Sequence, residues 1–278
     1  MKNLIIDSFN LFTRHYVAHP AHSSNGDQIG GIVGFLYELL RHVENFSPDR
    51  VFIVWEGGGS RRRRNVLSDY KDRRRPVKMN RYYGEEIPDT LENRNKQISL
   101  CIESLDHTPC MQIYVPDCEA DDVISWITKY HYENKRKVIV SSDRDLYQLL
   151  GKKVIQWSPG QKAFVTPITM IEKFGISPEN FCTARAFIGD SSDKIDGVRG
   201  AGFTSMAKRF PELRNQEHVG VEEIFNLAEQ RLQEKKLKLF ENILASKDRV
   251  RRNWKLMYLD TMNLSAEHIK RIDNIFQK

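Results

Sequence analysis

Cysteine is scarce in this chain: the four present, at 101, 110, 118 and 182 of 278 residues, have neither zinc-finger nor disulfide-framework spacing. Reduced, buried thiols are the expectation. Long apolar runs are missing too. The longest candidate, Gly30–Leu40, falls short of a bilayer span and contains Glu38. Leu4-Ile5-Ile6, closed by Asp7, is too short for the apolar core of a signal peptide. These absences predict a soluble intracellular protein that does not engage a membrane. There is also no P-loop, no dinucleotide fingerprint, no Ser/His/Asp or Cys/His arrangement, no internal repeat and no low-complexity linker. The usual nucleophilic hydrolases and nucleotide-binding enzymes are thereby set aside.

What the chain has is charge, unevenly placed. Residues 61–81 carry ten Lys or Arg against Asp69 and Asp72, a net +8, while the whole chain is only +6. So concentrated a field is a patch for an acidic partner rather than general solubility. Tyr70, Tyr82 and Tyr83 are interleaved with it and offer flat faces on which bases could stack. A solvated basic helix or an Arg-rich targeting signal is the plainer alternative.

Leu4-Ile5-Ile6-Asp7 reads as a buried strand ending in a carboxylate, and Val51-Phe52-Ile53-Val54-Trp55 as a second, ending at Glu56. The apolar spacing of Gly30 to Phe46 makes it the crossover helix between them. Met111–Val115, Lys137–Ser141, Val154–Trp157 and Ala163–Thr166 read as further strands, with a helix over 87–105 and another after Glu119-Ala120-Asp121-Asp122. The fold class is therefore α/β, a mainly parallel sheet with helices on both faces. Past Thr166 the texture is helical: 168–174, 178–188, 203–210, 221–229 and a long charged helix near 232–247, with one short strand possible at Lys255–Leu259. The expected division is an α/β domain over 1–166 and a smaller helical region over 167–278.

Acids recur at strand tips and helix starts: Asp7, Glu56, Glu119, Asp121, Asp122, Asp143 and Asp145, joined later by Asp190 and Asp193. Each alone has a bland reading as a helix cap. Together at one edge of a parallel sheet they would repel unless cations neutralised them. Oxygen ligands without His or Cys favour Mg²⁺ or Mn²⁺ over zinc. Two such ions beside a basic segment are what phosphodiester hydrolysis requires. Asp190 and Asp193 lead into Gly197, Gly200 and Gly202 and then a basic helix, so one stretch could hold a metal at its start and a phosphate at its end. Taken by itself, that stretch is equally a helix–turn–helix linker with acidic caps.

These motifs, in this order, resemble the 5′-nuclease family: flap endonucleases, the 5′-nuclease domain of bacterial DNA polymerase I and stand-alone phage 5′–3′ exonucleases. The resemblance covers nearly the whole chain. It rests on I-I-D-S-F-N-L-F-T-R; on Arg63, Tyr70, Lys71 and Arg74 in R-x6-Y-K-x2-R; on E-A-D-D at 119–122; on S-S-D-R-D-L-Y-Q-L from 141; and on G-D-S-S-D-x-I-x-G-V-x-G-A-G from 189. It implies a PIN-like, Rossmann-like sheet, a basic helical arch over about 60–100, and a helix–hairpin–helix over about 178–210.

By the same resemblance, two Mg²⁺ or Mn²⁺ ions are shared among the nine acids, and Lys71 and Arg74 contact the scissile phosphate. Arg63, Arg64, Tyr70, Arg73 and Tyr82 belong to the strand-binding arch. Gly197, Gly200, Gly202, Thr204 and Lys208 grip duplex backbone, in relatives with help from a potassium ion. The implied activity is structure-specific 5′-nuclease action, as 5′–3′ exonuclease and flap endonuclease in replication or repair. The implied partners are DNA with free 5′ ends, flaps or nicks and RNA primers in RNA–DNA hybrids. The implied state is a cytoplasmic monomer, in the host's cytoplasm where the chain is phage-encoded. Two positions depart from the family pattern: Glu56 stands where Asp is usual, and Thr204 where a lysine is usual. A non-catalytic structure-specific DNA-binding relative and a PIN-type ribonuclease are the alternatives.

Overall fold

The computed structural model describes residues 2–71, 91–260 and 263–277. One sheet of six strands has the order β3-β2-β1-β4-β5-β6, with β1 Lys2–Asp7, β2 Arg50–Trp55, β3 Met111–Tyr114, β4 Arg136–Val140, β5 Val154–Ser158 and β6 Ala163–Val165. The first five are parallel; β6 returns antiparallel along β5. Helices α1 (Ser8–Ala18) and α2 (Gly30–Phe46) connect β1 to β2. Helices α3 (Arg61–Val66) and α4 (Leu91–Asp106) lie between β2 and β3, and α5 (Ala120–Tyr130) between β3 and β4. After β6 come α6 (Pro167–Phe174), α7 (Pro178–Ile188), α8 (Phe203–Arg209), α9 (Val221–Glu234), α10 (Lys238–Leu244), α11 (Lys247–Met257) and α12 (Ala266–Phe276).

The central strands read as unbroken apolar runs because both of their faces are covered. In register, Leu4 lies between Val51 and Val138, and Ile5 between Phe52 and Ile139. Leu4, Ile6, Ile53 and Val138 point to one side, where Phe12 and Tyr16 of α1, Phe35 of α2 and Cys101 of α4 close the core. Ile5, Phe52, Val54 and Ile139 point to the other and meet Val123, Ile124 and Ile127 of α5. That second core runs on without interruption into Phe181, Phe187, Phe210, Phe225 and Ile272 of the C-terminal helices.

Ser8–Ala18 forms a full helix, started by Asp7, whose side chain accepts from Asn10 N–H. Two expectations are corrected. The long helix expected near 232–247 is broken at Lys235, where the backbone turns extended between α9 and α10. Lys255–Leu259 is no strand; it contains the last turn of α11, and Leu256 and Met257 are buried there against the protein. Short apolar runs do not distinguish a strand from a buried helix end.

The strand order reverses between β1 and β4. In open parallel sheets ligands bind beyond the carboxyl ends at such a point, and there β1 ends in Asp7 and β4 leads into Asp143 and Asp145.

Candidate active site

Asp7 is nearly buried at the tip of β1 and accepts hydrogen bonds from Ser141 Oγ at 2.7 Å and Asn10 N–H at 3.3 Å. Burial, with Asp143 and Glu56 nearby, pushes its pKa up to about 7 in spite of those bonds. Asp121, in the first turn of α5, is raised well above the carboxylate range by burial and by Asp143 and Asp7. Asp143 accepts from Asp145 N–H at 2.8 Å and takes its own N–H to Ser141 Oγ at 3.0 Å. Ser141 thus ties the tips of β1 and β4 together. The sequence reading did not single it out.

On the β2 side, Glu56 spends both oxygens on backbone: Oε1 accepts from Gly59 N–H at 3.1 Å and Oε2 from Ala120 N–H at 3.3 Å. It therefore caps the start of α5, while burial and Glu119 raise its pKa. Glu119 is 2% exposed. Its Oε2 accepts from Lys71 Nζ at 2.9 Å, Arg63 Nη1 at 3.1 Å and the Tyr70 hydroxyl at 3.2 Å. Its Oε1 is buried without a hydrogen-bond partner among the described residues. Asp122 is fully buried beside Glu119; Arg63 holds both of its oxygens, at 2.5 and 2.7 Å, and Asn263 donates to it at 3.1 Å.

Arg63 and Tyr70 depart from the expectation of a nucleic-acid contact. Arg63 is 2% exposed, with Nε donating to the Leu256 carbonyl at 2.7 Å, so its guanidinium is an internal counter-ion. The Tyr70 ring is buried with Cys182, Ile195, Leu256 and Met257 and presents no face to a base. Arg64 is exposed at the same short helix, α3. Lys71 stands between the two halves of the acidic edge, 2.9 Å from Glu119 and 3.9 Å from Asp193. Its backbone lies in the left-handed region at φ 54, unusual for a residue with a side chain. Arg73, Arg74 and Tyr82 lie outside the described residues.

Asp145, Asp190 and Asp193 each offer an oxygen within 4.8 Å of the others. Burial and Asp143 push Asp145 up to about 7, against the pull of Arg185. At Asp190 burial also acts upward, but hydrogen bonds from Ser192 and the charge of Arg185 outweigh it and leave the pKa lowered. Arg185, on α7 and 8% exposed, donates to Asp145 Oδ1 at 3.0 Å and to Asp190 Oδ2. Counting acids along the sequence does not reveal it; an arginine inside the apolar stretch Ala184–Ile188 was the available signal.

The glycine turn joins α7 to α8. Gly200 takes φ +89, a conformation that side chains resist. A Cβ at Gly197 would lie 2.0 Å from the Ile188 carbonyl oxygen, so glycine is required there by the chain's own packing. Gly202 is extended and gives its N–H to Ser205 Oγ at 2.8 Å. Thr204 and Lys208 are exposed beyond it and line a shallow depression with Gly200 and Arg209.

The donor set fits divalent cations. It is all oxygen; among the described residues one buried oxygen, Glu119 Oε1, has no donor; and the charged forms of Asp7, Asp121 and Asp145, disfavoured first by burial and then by neighbouring carboxylates, are what a bound cation stabilises.

A sequence profile described as the 5′–3′ exonuclease N-terminal resolvase-like domain matches residues 2–175. The chain belongs to the 5′–3′ exonuclease family. Within that family it is 31% identical over 212 residues to the 5′–3′ exonuclease of Bacillus subtilis, covering 72% of this chain and 67% of that one. It is 30% identical over 211 residues to the thermostable DNA polymerase I of Thermus thermophilus, covering 75% of this chain but only 24% of the polymerase. The fold matches bacteriophage T5 D15 flap endonuclease, solved in a pseudo-enzyme–product complex with DNA and metal ions. That likeness has TM-score 0.76 at 20% identity and covers 100% of this chain and 98% of the other. The mainly parallel, PIN-like sheet expected from the sequence is borne out, in the domain that the family model describes as resolvase-like. Among the described residues, no helix is long and apolar enough to cross a membrane.

Proposed function

We propose that this chain is a structure-specific 5′-nuclease, acting as 5′–3′ exonuclease and flap endonuclease on DNA and on RNA primers paired to DNA. The observation that supports it is the gathering of strand-tip carboxylates from β1, β2, β4, α5 and the loop after α7 at one sheet edge, with Lys71 among them. Asp7, Glu119, Asp121, Asp143 and Asp145 would hold one divalent ion, and Asp145, Asp190 and Asp193 a second, with Mg²⁺ or Mn²⁺ as the candidates and a potassium ion at the glycine turn. When bound, such ions supply a nucleophile from water and stabilise the leaving oxygen.

The chain's own residues do the positioning. Ser141 orients Asp7 and Asp143; Arg63 and Tyr70 orient Glu119. Lys71 carries the positive charge that offsets the phosphate as its charge develops. Residues 1–166 supply the first ion's ligands, and 167–278 supply Asp190, Asp193 and the glycine turn with Thr204 and Lys208 for duplex backbone. Phosphate contacts of that kind read structure rather than sequence. The protein would act as a cytoplasmic monomer.

A non-catalytic DNA-binding relative is the second reading, favoured by Glu56, whose two oxygens are both engaged by backbone N–H groups. Incubating a 5′-labelled flap or nicked duplex with Mg²⁺ or Mn²⁺ separates the two. Cleavage by the parent, lost in Asp193→Ala with DNA binding in EDTA retained, is the expected result. Binding without cleavage in either metal sinks the enzyme reading.

A further inference from the structure

Arg185 reaches the acidic edge from behind. It grows from α7, is 8% exposed, and is anchored by Nη1 donating to the Gly189 carbonyl at 3.1 Å. Nε and Nη2 both donate to Asp145 Oδ1, at 3.3 and 3.0 Å, and Nη2 also donates to Asp190 Oδ2. Ser192 donates to the remaining oxygen of Asp190, through N–H at 2.9 Å and Oγ at 2.6 Å. Two of the three carboxylates that come within 4.8 Å of one another are thus already bound to a fixed positive charge.

We propose that Arg185 is a positioning residue that also sets the threshold for the ion at Asp145, Asp190 and Asp193, by sharing two of that ion's three carboxylates. The inference rests on the nuclease reading above. The guanidinium cannot swing clear without breaking its bond to Gly189, so an arriving cation meets a like charge held against its own ligands. Repulsion at this range lowers affinity, and its size is set by the local dielectric. The same contacts hold Asp145 and Asp190 at a fixed separation, which favours a single arrangement of the pair. An ion here is therefore weakly held and exchanges readily, and the activity rises with divalent concentration after the first ion is bound.

The test uses Mn²⁺ alone with the full chain and no DNA, reading free Mn²⁺ by electron paramagnetic resonance. Arg185→Gln is expected to tighten the weaker Mn²⁺ site about tenfold without changing the number of ions bound. Arg185→Lys keeps the charge but cannot span both carboxylates, and should fall between the parent and the glutamine variant. The Mn²⁺ concentration giving half-maximal flap cleavage should fall in the same order. Equal or weaker Mn²⁺ binding in a folded Arg185→Gln overturns the proposal. Should that variant not fold, Arg185→Lys decides alone, and affinity no tighter than the parent's overturns it. Failure of the parent itself to bind Mn²⁺ would instead strike at the cation site and the nuclease reading.

Discussion

The guanidinium of Arg63 donates to both oxygens of Asp122, to Glu119 and to the Leu256 carbonyl, with almost no contact with water. Removing it leaves Asp122 charged, buried and short of its main partner, and breaking such a pair costs about 3–5 kcal/mol. Arg63→Ala should lose that much stability in urea denaturation. Arg63→Met combined with Asp122→Leu should recover most of it, because replacing both partners by apolar groups removes the desolvation cost as well. A loss under ~1 kcal/mol would mean the pair is wetter than its burial implies. Lys71 behaves differently, since it touches Glu119 from a partly exposed position. Lys71→Ala should lower kcat far more than it raises the Kd for a flap substrate. An unchanged kcat would remove it from the chemistry.

Between α1 and α2, beside their apolar contact, Glu38 sits between His15 at 2.5 Å and His42 at 3.3 Å. Arg14, Arg41 and Lys162 line the same recess. Burial acts upward on Glu38, but hydrogen bonds from the two histidines outweigh it and hold its pKa well below its ordinary 4.5. A depressed carboxylate contributes stability that is complete above its unfolded pKa and is lost as pH falls toward its folded one. The melting-temperature gap between the parent and Glu38→Gln should therefore close as pH falls below the carboxylate's ordinary 4.5. A gap that widens on acidification would contradict the assignment. The pair with His42 is an i,i+4 contact within α2, but the one with His15 could not be seen in the sequence, because 23 positions separate it from Glu38. The central strands and most helices were legible, since burial on both faces leaves continuous apolar runs and crossover helices keep their period. What escaped were the places where a side chain serves its own neighbourhood. Asp7 starting α1, Glu56 capping α5 and Arg63 turned inward all carry residue types that also suit an exposed site, and only packing tells the two uses apart.

Across the whole molecule, charge is sorted rather than balanced. The net +6 hides an acidic edge at the strand tips and a basic excess of +8 within 61–81. Arg64 at α3 and Lys208 at α8 are exposed, with Arg209 partly so, and add positive charge to the surface. A nucleic-acid backbone laid across these would release counter-ions from each phosphate it pairs with, so log affinity should fall linearly with log salt. In EDTA, which removes divalent bridging, Arg64→Ala and Lys208→Ala should each reduce that slope by about one and weaken binding equally on unrelated sequences. Nicked duplex should respond to Lys208→Ala and single strand much less, because Lys208 follows the glycine turn and would meet duplex backbone. Fluorescence anisotropy across a salt series checks this. A slope that survives both substitutions would place the duplex elsewhere on the surface, and a sequence-dependent loss would mean that base edges are being read.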